Sequence, residues 1–316
     1  MKLKQWKPVH WMYNLVNYRK LTHNREAFKR YVIRKPLIGS ISSKDFPDKE
    51  SQAWLDRGDS ETLAPRHTQF GEFDEVLQGK IKKWSKEGYL ILESLFTDAE
   101  CNGVNDEIDS LLKRGKIKFM HGNKLFFVSK KSKIISEIPT DTRITKVLEF
   151  LLDKEVIPFQ TLNFVTGSQQ RAHSDSIHFT TYPLGYLIAV WIALEDITDE
   201  SGPLYYYPGS HRLPYLLNND YNDGETFLKL GKKKYDDYED VMEDFIADKG
   251  FERKNFTAKK GDVLVWNANL IHGGAPILSE EATRKSMVIH YYAADVIKYH
   301  EITERPSLIS VCYLFI

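Results

Sequence analysis

Beyond Val156 the sequence is a succession of short apolar segments, each ended by Gly, Pro or a charged turn. PFQTLNFVTG alternates apolar and polar residues, whereas YLIAVWIALEDI is a continuous apolar run, typical of a strand buried on both faces. GPLYYYPGSH, GDVLVWNANLIHGG and SMVIHYYAA continue the series. Many short strands separated by turn signals predict a β-barrel or jelly roll.

Helical patterns flank these strands. FDEVLQGKIKKWSKEG has apolar residues at helical spacing and stops at Gly88, and TDAECNGVNDEIDSLLKRG begins at Thr97, with Glu100 placed to complete a capping box. The charged stretch 215–260 contains one clear helix, YDDYEDVMEDFIADKG. We therefore predict a mainly β protein with flanking helices, divided into a basic, irregular extension at 1–72 and a domain at 73–316 with a lid-like insertion at about 215–260.

Composition narrows the class of protein. The formal net charge is +0, so the whole chain gives no electrostatic reason to expect a nucleic-acid partner. Cys101 and Cys312 are the only cysteines, which excludes a disulfide framework and a cysteine-rich zinc module. The sequence has neither a secretory signal pattern nor an apolar run long enough to span a membrane, so we expect a cytoplasmic protein.

The first 36 residues are rich in Lys and Arg and contain a single acid, Glu26. Trp6, Trp11, Tyr13 and Tyr18 are interleaved with these cations. Such a segment can contact an anionic surface or an acidic carrier. Alternatively it packs on the main domain with its cations toward water, which is the interpretation that we favour.

The polar stretch GSQQRAHSDSIHF lies between two predicted strands and contains His173 and Asp175. In extended backbone, residues i and i+2 face the same side with Cα atoms roughly 6.5–7 Å apart. Both side chains can then reach one metal ion with bonds of about 2.1 Å. An H-x-D triplet alone arises easily by chance, and a surface histidine beside an unrelated aspartate is the competing interpretation.

A second candidate ligand, His272, leaves the apolar segment VLVWNANLIHGG before two glycines. Ligating residues at the mouth of an apolar strand are typical of barrel active sites. Two histidines and one carboxylate can form a triangular face on Fe(II), with the remaining positions open. The donor set also suits Mn(II) and Zn(II).

Arg284 and Ser286 begin the last strong apolar segment. If that strand lies beside the one ending at His272, the guanidinium points toward the metal and can bind a carboxylate in bidentate fashion, with Ser286 adding a hydrogen bond. The alternative is a surface arginine. Gln160, on an earlier strand, is a further candidate for lining the same pocket.

The order H-x-D, then H-G-G, then Arg resembles the phytanoyl-CoA dioxygenase family over about residues 78–296. The resemblance rests on EGYLILESLFTDAE, GSQQRAHSDSIHF, AVWIALEDITDESGPLYYYPGSH and KKGDVLVWNANLIHGGAPI. It implies a double-stranded β-helix of the jelly-roll, cupin-like kind, and an enzyme that uses Fe(II), 2-oxoglutarate and O2.

By this resemblance His173, Asp175 and His272 are the iron ligands and Arg284 binds the distal carboxylate of 2-oxoglutarate. Trp191 matches a tryptophan that lines the co-substrate pocket. Because Asp175 is present, the resemblance implies hydroxylation or desaturation of a small or carrier-linked molecule, with release of succinate and CO2, and not halogenation.

Two other functions remain open at this point. The chain could be a non-catalytic jelly-roll binding protein, although an intact set of ligands argues against this. It could also be a cupin-type metalloenzyme that does not use 2-oxoglutarate, and Arg284 is the residue that discriminates, because such an enzyme needs no carboxylate clamp there. The sequence leaves the substrate open.

Overall fold

The computed structural model describes residues 5–309, so Cys312 lies outside the described residues. The helices are α1 (Lys7–Val16), α2 (Arg25–Arg30), α3 (Ser60–Leu63), α4 (Glu75–Ile81), α5 (Trp84–Glu87), α6 (Asp98–Lys113), α7 (Lys133–Glu137), α8 (Thr142–Leu152), α9 (Asn218–Tyr221) and α10 (Tyr235–Lys249). The strands are β1 (Tyr89–Leu92), β2 (Lys124–Phe126), β3 (Val156–Phe164), β4 (Thr180–Tyr182), β5 (Leu187–Ala193), β6 (Leu204–Tyr206), β7 (Lys254–Phe256), β8 (Val263–Asn267), β9 (His272–Gly274), β10 (Ser286–Ala293), β11 (Ile297–His300) and β12 (Arg305–Pro306).

The largest sheet has six strands in the order β1-β8-β5-β10-β3-β2, and neighbouring strands are antiparallel. Every residue of the central strands β5 and β10 is buried. Both faces of this sheet are therefore covered, as the continuous apolar run in β5 predicted.

Smaller sheets of three strands, β7-β6-β9 and β12-β11-β4, complete the β structure. Trp191, Leu264 and Val288 on one face of the large sheet share an apolar cluster with Leu204 and Phe256 of β6 and β7. The other face packs against helices, because residues of β5, β8 and β10 share the largest cluster with residues of α6 and α8. The result is a two-layered β structure with a helical flank, and the space between its layers holds the site described below.

The predicted helix after Thr97 is confirmed. Thr97 caps α6, and its side chain and that of Glu100 form the expected reciprocal capping box. The single helix expected over residues 73–88 is instead divided into α4 and α5. At the break, the Lys82 carbonyl accepts a hydrogen bond from the Ser60 hydroxyl, a residue distant in sequence. Gly88 ends α5 in the left-handed region, with φ of 77°.

The N-terminal extension packs on the β structure. Phe28, Ile41 and Phe46 form one apolar cluster with Ile297 and Tyr299 of β11. Residues 53–70 contribute several side chains to the largest cluster of the protein. The proposed boundary at residue 72 stays a prediction, and apolar contacts cross it. No helix in residues 5–309 has the length and apolarity needed to cross a membrane.

The predicted insertion contains α9, α10 and β7. Tyr238 and Met242 of α10 share an apolar cluster with Tyr205 and Ile271. Because β7 pairs with β6, the end of the insertion is an edge strand of a small sheet. The insertion thus lies against the segments that lead into the candidate site.

Candidate active site

The chain brings His173 and His272 together through their main chains. The backbone N–H of each residue donates to the carbonyl of the other at 2.9 Å, which forms an isolated antiparallel bridge. His272 does not lie at the end of β8, as the apolar run suggested. β8 ends at Asn267, the chain then crosses to the opposite layer, and His272 begins β9, which pairs with β6.

The two glycines after His272 are explained by close packing. A Cβ atom at Gly273 would lie 2.7 Å from the Gln170 carbonyl oxygen, and one at Gly274 would lie 2.8 Å from the Gln169 backbone nitrogen. Any larger residue would push β9 away from the segment that carries His173. The H-G-G sequence is therefore required by the approach of two backbones.

His173, Asp175 and His272 form a compact set of potential metal ligands. One ligand atom from each lies within 4.8 Å of the others, and all three residues are buried. Asp175 Oδ1 lies 3.7 Å from His272 Nε2 and 4.0 Å from His173 Nε2. Ser174 is extended, with φ −105° and ψ 148°, so the backbone between His173 and Asp175 has the geometry that the sequence predicted.

Backbone carbonyls orient both imidazoles. His173 Nδ1 lies 2.9 Å from the Arg171 carbonyl, and His272 Nδ1 lies 2.9 Å from the Leu270 carbonyl. A carbonyl can only accept, so each Nδ1 carries the proton and each Nε2 presents its lone pair to the centre of the cluster. This arrangement is typical of metal-binding histidines.

The electrostatics also suit a cation. Burial and the neighbouring His272 lower the pKa of His173 well below its ordinary value, which keeps the imidazole neutral. Burial opposes ionisation of Asp175, but the nearby imidazoles of His272 and His290 outweigh it and lower the pKa of this carboxyl. A neutral His173 and an ionised Asp175 are in the protonation states that Fe(II) binding needs, and within residues 5–309 the cluster contains no thiolate that would favour a softer metal.

Two residues that sequence reasoning did not assign to the site hold the Asp175 carboxylate. Trp266 Nε1 donates to Asp175 Oδ2 at 2.9 Å, and His290 Nε2 lies 3.5 Å from the same oxygen. The sequence could have indicated His290, because it lies at an alternate position on the same predicted strand as Arg284 and so faces the same side. Nothing in the sequence indicated that Trp266 belongs to the site, because it is one of several apolar residues of a buried strand.

Arg284 lies at the other end of the cavity and is only 2% exposed. Its Nη1 donates to the Gly202 carbonyl at 3.3 Å, its Nε has no partner, and within residues 5–309 it makes no ion pair. The guanidinium lies 5.3 Å from the Phe164 ring centre and 5.9 Å from that of Trp191. Burial lowers the pKa of Arg284 to about 10.

The suggested arrangement, with the strand of Arg284 beside the strand that leads to His272, was wrong. β10 lies between β3 and β5, not beside β8 or β9. Arg284 precedes β10 by two residues, and its N–H donates to the Val165 carbonyl just after β3. It reaches the cavity because the face of the central strand opens onto the space between the layers.

A cavity of about 210 Å³ joins the ligand cluster to Arg284. Trp191 and Gln160 line it, as does Arg284, but Ser286 does not. The Ser286 hydroxyl is buried and donates to the Arg284 carbonyl at 3.3 Å. The remaining wall residues are Lys124, Phe126, Leu162, Phe164, Ser168, Gln170, His173, Asp175, His178, Phe179, Leu204, Trp266, His272, Gly273, Val288 and His290.

The insertion helix contacts the segment that carries His173. The Tyr238 hydroxyl accepts the backbone N–H of Ser174 at 3.1 Å. Arg171 pairs with Asp240 and Glu243, each at 2.7 Å. The insertion therefore buttresses the ligand segment, and its predicted role as a lid stays a prediction.

Comparison with known proteins agrees with this geometry. The sequence profile described as Phytanoyl-CoA dioxygenase (PhyH) matches residues 84–286, which is more than half of the chain. The human protein named "Phytanoyl-CoA dioxygenase, peroxisomal" is 24% identical over 296 residues, which cover 84% of this chain and 78% of that protein.

Solved structures share the fold. The non-heme alpha ketoglutarate dependent carbocyclase SnoK from nogalamycin biosynthesis matches with a TM-score of 0.58 at 14% identity, over 76% of this chain and 89% of that one. EctD from S. alaskensis, solved with 2-oxoglutarate and 5-hydroxyectoine, matches with a TM-score of 0.57 at 18% identity, over 85% and 96% respectively. The predicted double-stranded β-helix is thereby confirmed.

Proposed function

This chain belongs to the phytanoyl-CoA dioxygenase family, and on that premise we propose that it hydroxylates a small or carrier-linked organic substrate in the cavity between its two β layers. It is an iron(II)- and 2-oxoglutarate-dependent dioxygenase, and O2 is its second co-substrate.

We assign the iron ligands as His173, Asp175 and His272. The support is the convergence of two Nε2 atoms and one carboxylate oxygen within 4.8 Å in a buried site. Trp266 donates to the second oxygen of the carboxylate, so Asp175 would hold a metal ion through Oδ1. Bound iron, with 2-oxoglutarate and O2, supplies an oxidant strong enough to attack a C–H bond.

The observation that carries the 2-oxoglutarate site is the buried, unpaired cation of Arg284. A buried guanidinium without an anion is costly, and a bidentate carboxylate is its best partner. We assign Arg284 to the far carboxylate of 2-oxoglutarate, which leaves the keto-acid end for the metal. Trp191 and Phe164 flank the guanidinium and would shield this contact from water. Ser286 supports the Arg284 backbone, and Gln160 lines the wall.

We infer the substrate only as a class. The names of similar proteins cover an acyl-CoA, 5-hydroxyectoine and a step of nogalamycin biosynthesis. A cavity of about 210 Å³ suits the co-substrate together with part of a small molecule. A cytoplasmic location, inferred from the sparse cysteines and the need for ferrous iron, remains part of the proposal.

The test is an anaerobic titration of metal-free protein with Fe(II) and then 2-oxoglutarate, followed by visible absorption. Chelation of ferrous iron by a keto acid gives a weak charge-transfer band. We expect the band in the wild type and its loss in His173→Ala. His211→Ala is a matched control, because His211 is also buried but does not line the cavity. A folded wild type without the band would overturn the assignment.

A further inference from the structure

Helix α1 turns an apolar face to solvent. Val16 is 86% exposed, Met12 71%, Tyr13 51% and Val9 41%. These residues have the spacing i, i+3, i+4, i+7, so they form one continuous stripe. Surface helices normally turn such a stripe toward the core, and an exposed apolar patch usually marks an interaction site.

Polar anchors on the opposite face fix the rotation of α1. The buried Lys7 pairs with Glu225 and, at 2.7 Å, with Glu304. Asn14, also buried, donates to the Ile38 carbonyl at 2.9 Å. The helix cannot turn its apolar stripe inward without breaking these contacts and exposing a buried ion pair. The outward stripe is therefore a stable feature of the folded arm.

Exposed cations follow this stripe along the chain. Arg19 and Lys20 come within four residues of the end of α1 and are exposed, as is Arg25, which donates to the Tyr18 hydroxyl at 3.2 Å. Further along the arm Lys29, Arg30 and Arg34 are also exposed, and Lys29 pairs with Glu26, the only acid of the first 36 residues. We define the arm surface as the stripe Val9, Met12, Tyr13 and Val16 with the cations Arg19, Lys20 and Arg25.

We propose that the arm surface docks reversibly on an anionic phospholipid membrane. An apolar stripe enters the boundary between headgroups and acyl chains, while neighbouring lysines and arginines contact lipid phosphates and carboxylates. The exposed Tyr18 lies where aromatic rings favour the interface. Docking of this kind would keep the dioxygenase close to apolar or membrane-derived substrates without a spanning helix.

Charge complementarity favours lipid over two other occupants. A second copy of the chain would bring two cationic surfaces together, which costs repulsion. The C-terminal segment 310–316 is the other candidate, because it is apolar and follows Ile309, whose N–H donates to the Lys20 carbonyl at 3.1 Å. It contains no acidic side chain, so it would cover the stripe but leave the cations unpaired.

The test is cosedimentation of the full chain with vesicles of phosphatidylcholine mixed with phosphatidylserine, and with phosphatidylcholine alone. We expect binding to the mixed vesicles that is roughly tenfold weaker on phosphatidylcholine alone and in high salt. Met12→Ser with Val16→Ser should abolish it, and Arg19→Gln with Lys20→Gln should weaken it. Leu278→Ser, at a residue 72% exposed elsewhere, should leave it unchanged.

Other results would overturn the proposal. A folded wild type that does not bind vesicles would contradict it. Binding that appears only after removal of 310–316 would also contradict it, and would show that the C-terminal segment covers the stripe. A dimer in solution that Met12→Ser with Val16→Ser dissociates, without vesicle binding, would assign it to a second copy. His173→Ala should bind vesicles like the wild type, so the result does not depend on the iron site.

Discussion

Arg284 and Arg171, near the proposed iron ligands, occupy contrasting surroundings. Arg284, inside the cavity, is 2% exposed and makes no ion pair within the described part of the chain. Arg171, on the segment before His173, pairs with Asp240 and Glu243 of α10 at the protein surface. The Arg284 guanidinium is therefore buried without a carboxylate partner, whereas the Arg171 guanidinium pairs with two carboxylates.

The difference shows how each charge is used. A buried, unpaired guanidinium destabilises the ligand-free protein and gains its partner only when an anionic ligand binds. An exposed, paired guanidinium contributes little to stability, but it can hold a segment in place. The Arg171 carbonyl accepts a hydrogen bond from His173 Nδ1, so its segment also positions a proposed iron ligand. We therefore expect substitutions at the two arginines to change the melting temperature in opposite directions and ligand affinity by different amounts.

The largest effect is expected for Arg284→Gln. Loss of one partner of a buried charge-assisted pair costs roughly 2–5 kcal/mol, so the apparent Kd of 2-oxoglutarate should rise by roughly 30-fold to a few thousand-fold. The ligand-free variant should unfold at a higher temperature than the wild type, because an uncompensated buried charge is gone.

Calorimetric titration with 2-oxoglutarate and thermal unfolding check both parts of this prediction. Arg284→Lys keeps the charge without the planar fork and should recover only part of the affinity. Unchanged 2-oxoglutarate affinity in Arg284→Gln would show that this arginine is structural, like Arg171.

A smaller effect is expected at the carboxylate end of the cavity. Trp266→Phe removes the hydrogen bond to Asp175 Oδ2 and preserves most of the ring. Loss of such an outer contact typically weakens metal binding by about tenfold or somewhat more. Competition with a chelator measures the Fe(II) affinity, and Trp54→Phe, whose indole donates to the Phe150 carbonyl outside the cavity, is the control. Equal affinities in the two variants would contradict the role of Trp266.

Glu301, like Arg284, is a buried ionisable residue, and its burial predicts how stability depends on pH. Burial raises its pKa to about 7, although hydrogen bonds from Ser43 oppose this rise. The folded state then binds the proton more tightly than the unfolded state, so this contribution to stability is present at low pH and is lost as the pH rises from about 4.5 to about 7.

Glu301→Gln should therefore raise the melting temperature by several degrees at pH 8 relative to the wild type, and by less at pH 5. Thermal unfolding across this range by circular dichroism measures the difference. A variant less stable than the wild type at pH 8 would show that the carboxylate is ionised and well paired in the folded protein.

The smallest effect is expected for Arg171→Gln. Its ion pairs are at the surface, so the melting temperature should fall only slightly, and the change should shrink at high salt. Fe(II) affinity should fall a few-fold, because the His173 segment loses its attachment to α10. Arg143→Gln is a matched control, since Arg143 pairs with Glu100 and Asp141 away from the site and should leave Fe(II) affinity unchanged. An Fe(II) affinity as high as that of the control would contradict the positioning role.

The sequence by itself determined the local elements and the chemical groups. The apolar run of β5, the capping box of α6 and the extended spacing of His173 and Asp175 depend on neighbouring residues, so one-dimensional patterns contain them. Side-chain chemistry marked His173, Asp175, His272 and Arg284 as candidates, and the resemblance to a known family rested on the same segments.

The tertiary structure alone decided which segments meet. The crossing from β8 to β9, the place of β10 between β3 and β5, and the break between α4 and α5 depend on contacts between residues distant in sequence. The same is true of Trp266 and His290, which reach Asp175 from separate strands. The outward rotation of α1 is fixed by the pairing of Lys7 with Glu225 and Glu304. Such pairings have no local signature, because the free energy that selects them arises only when remote strands and side chains are packed together.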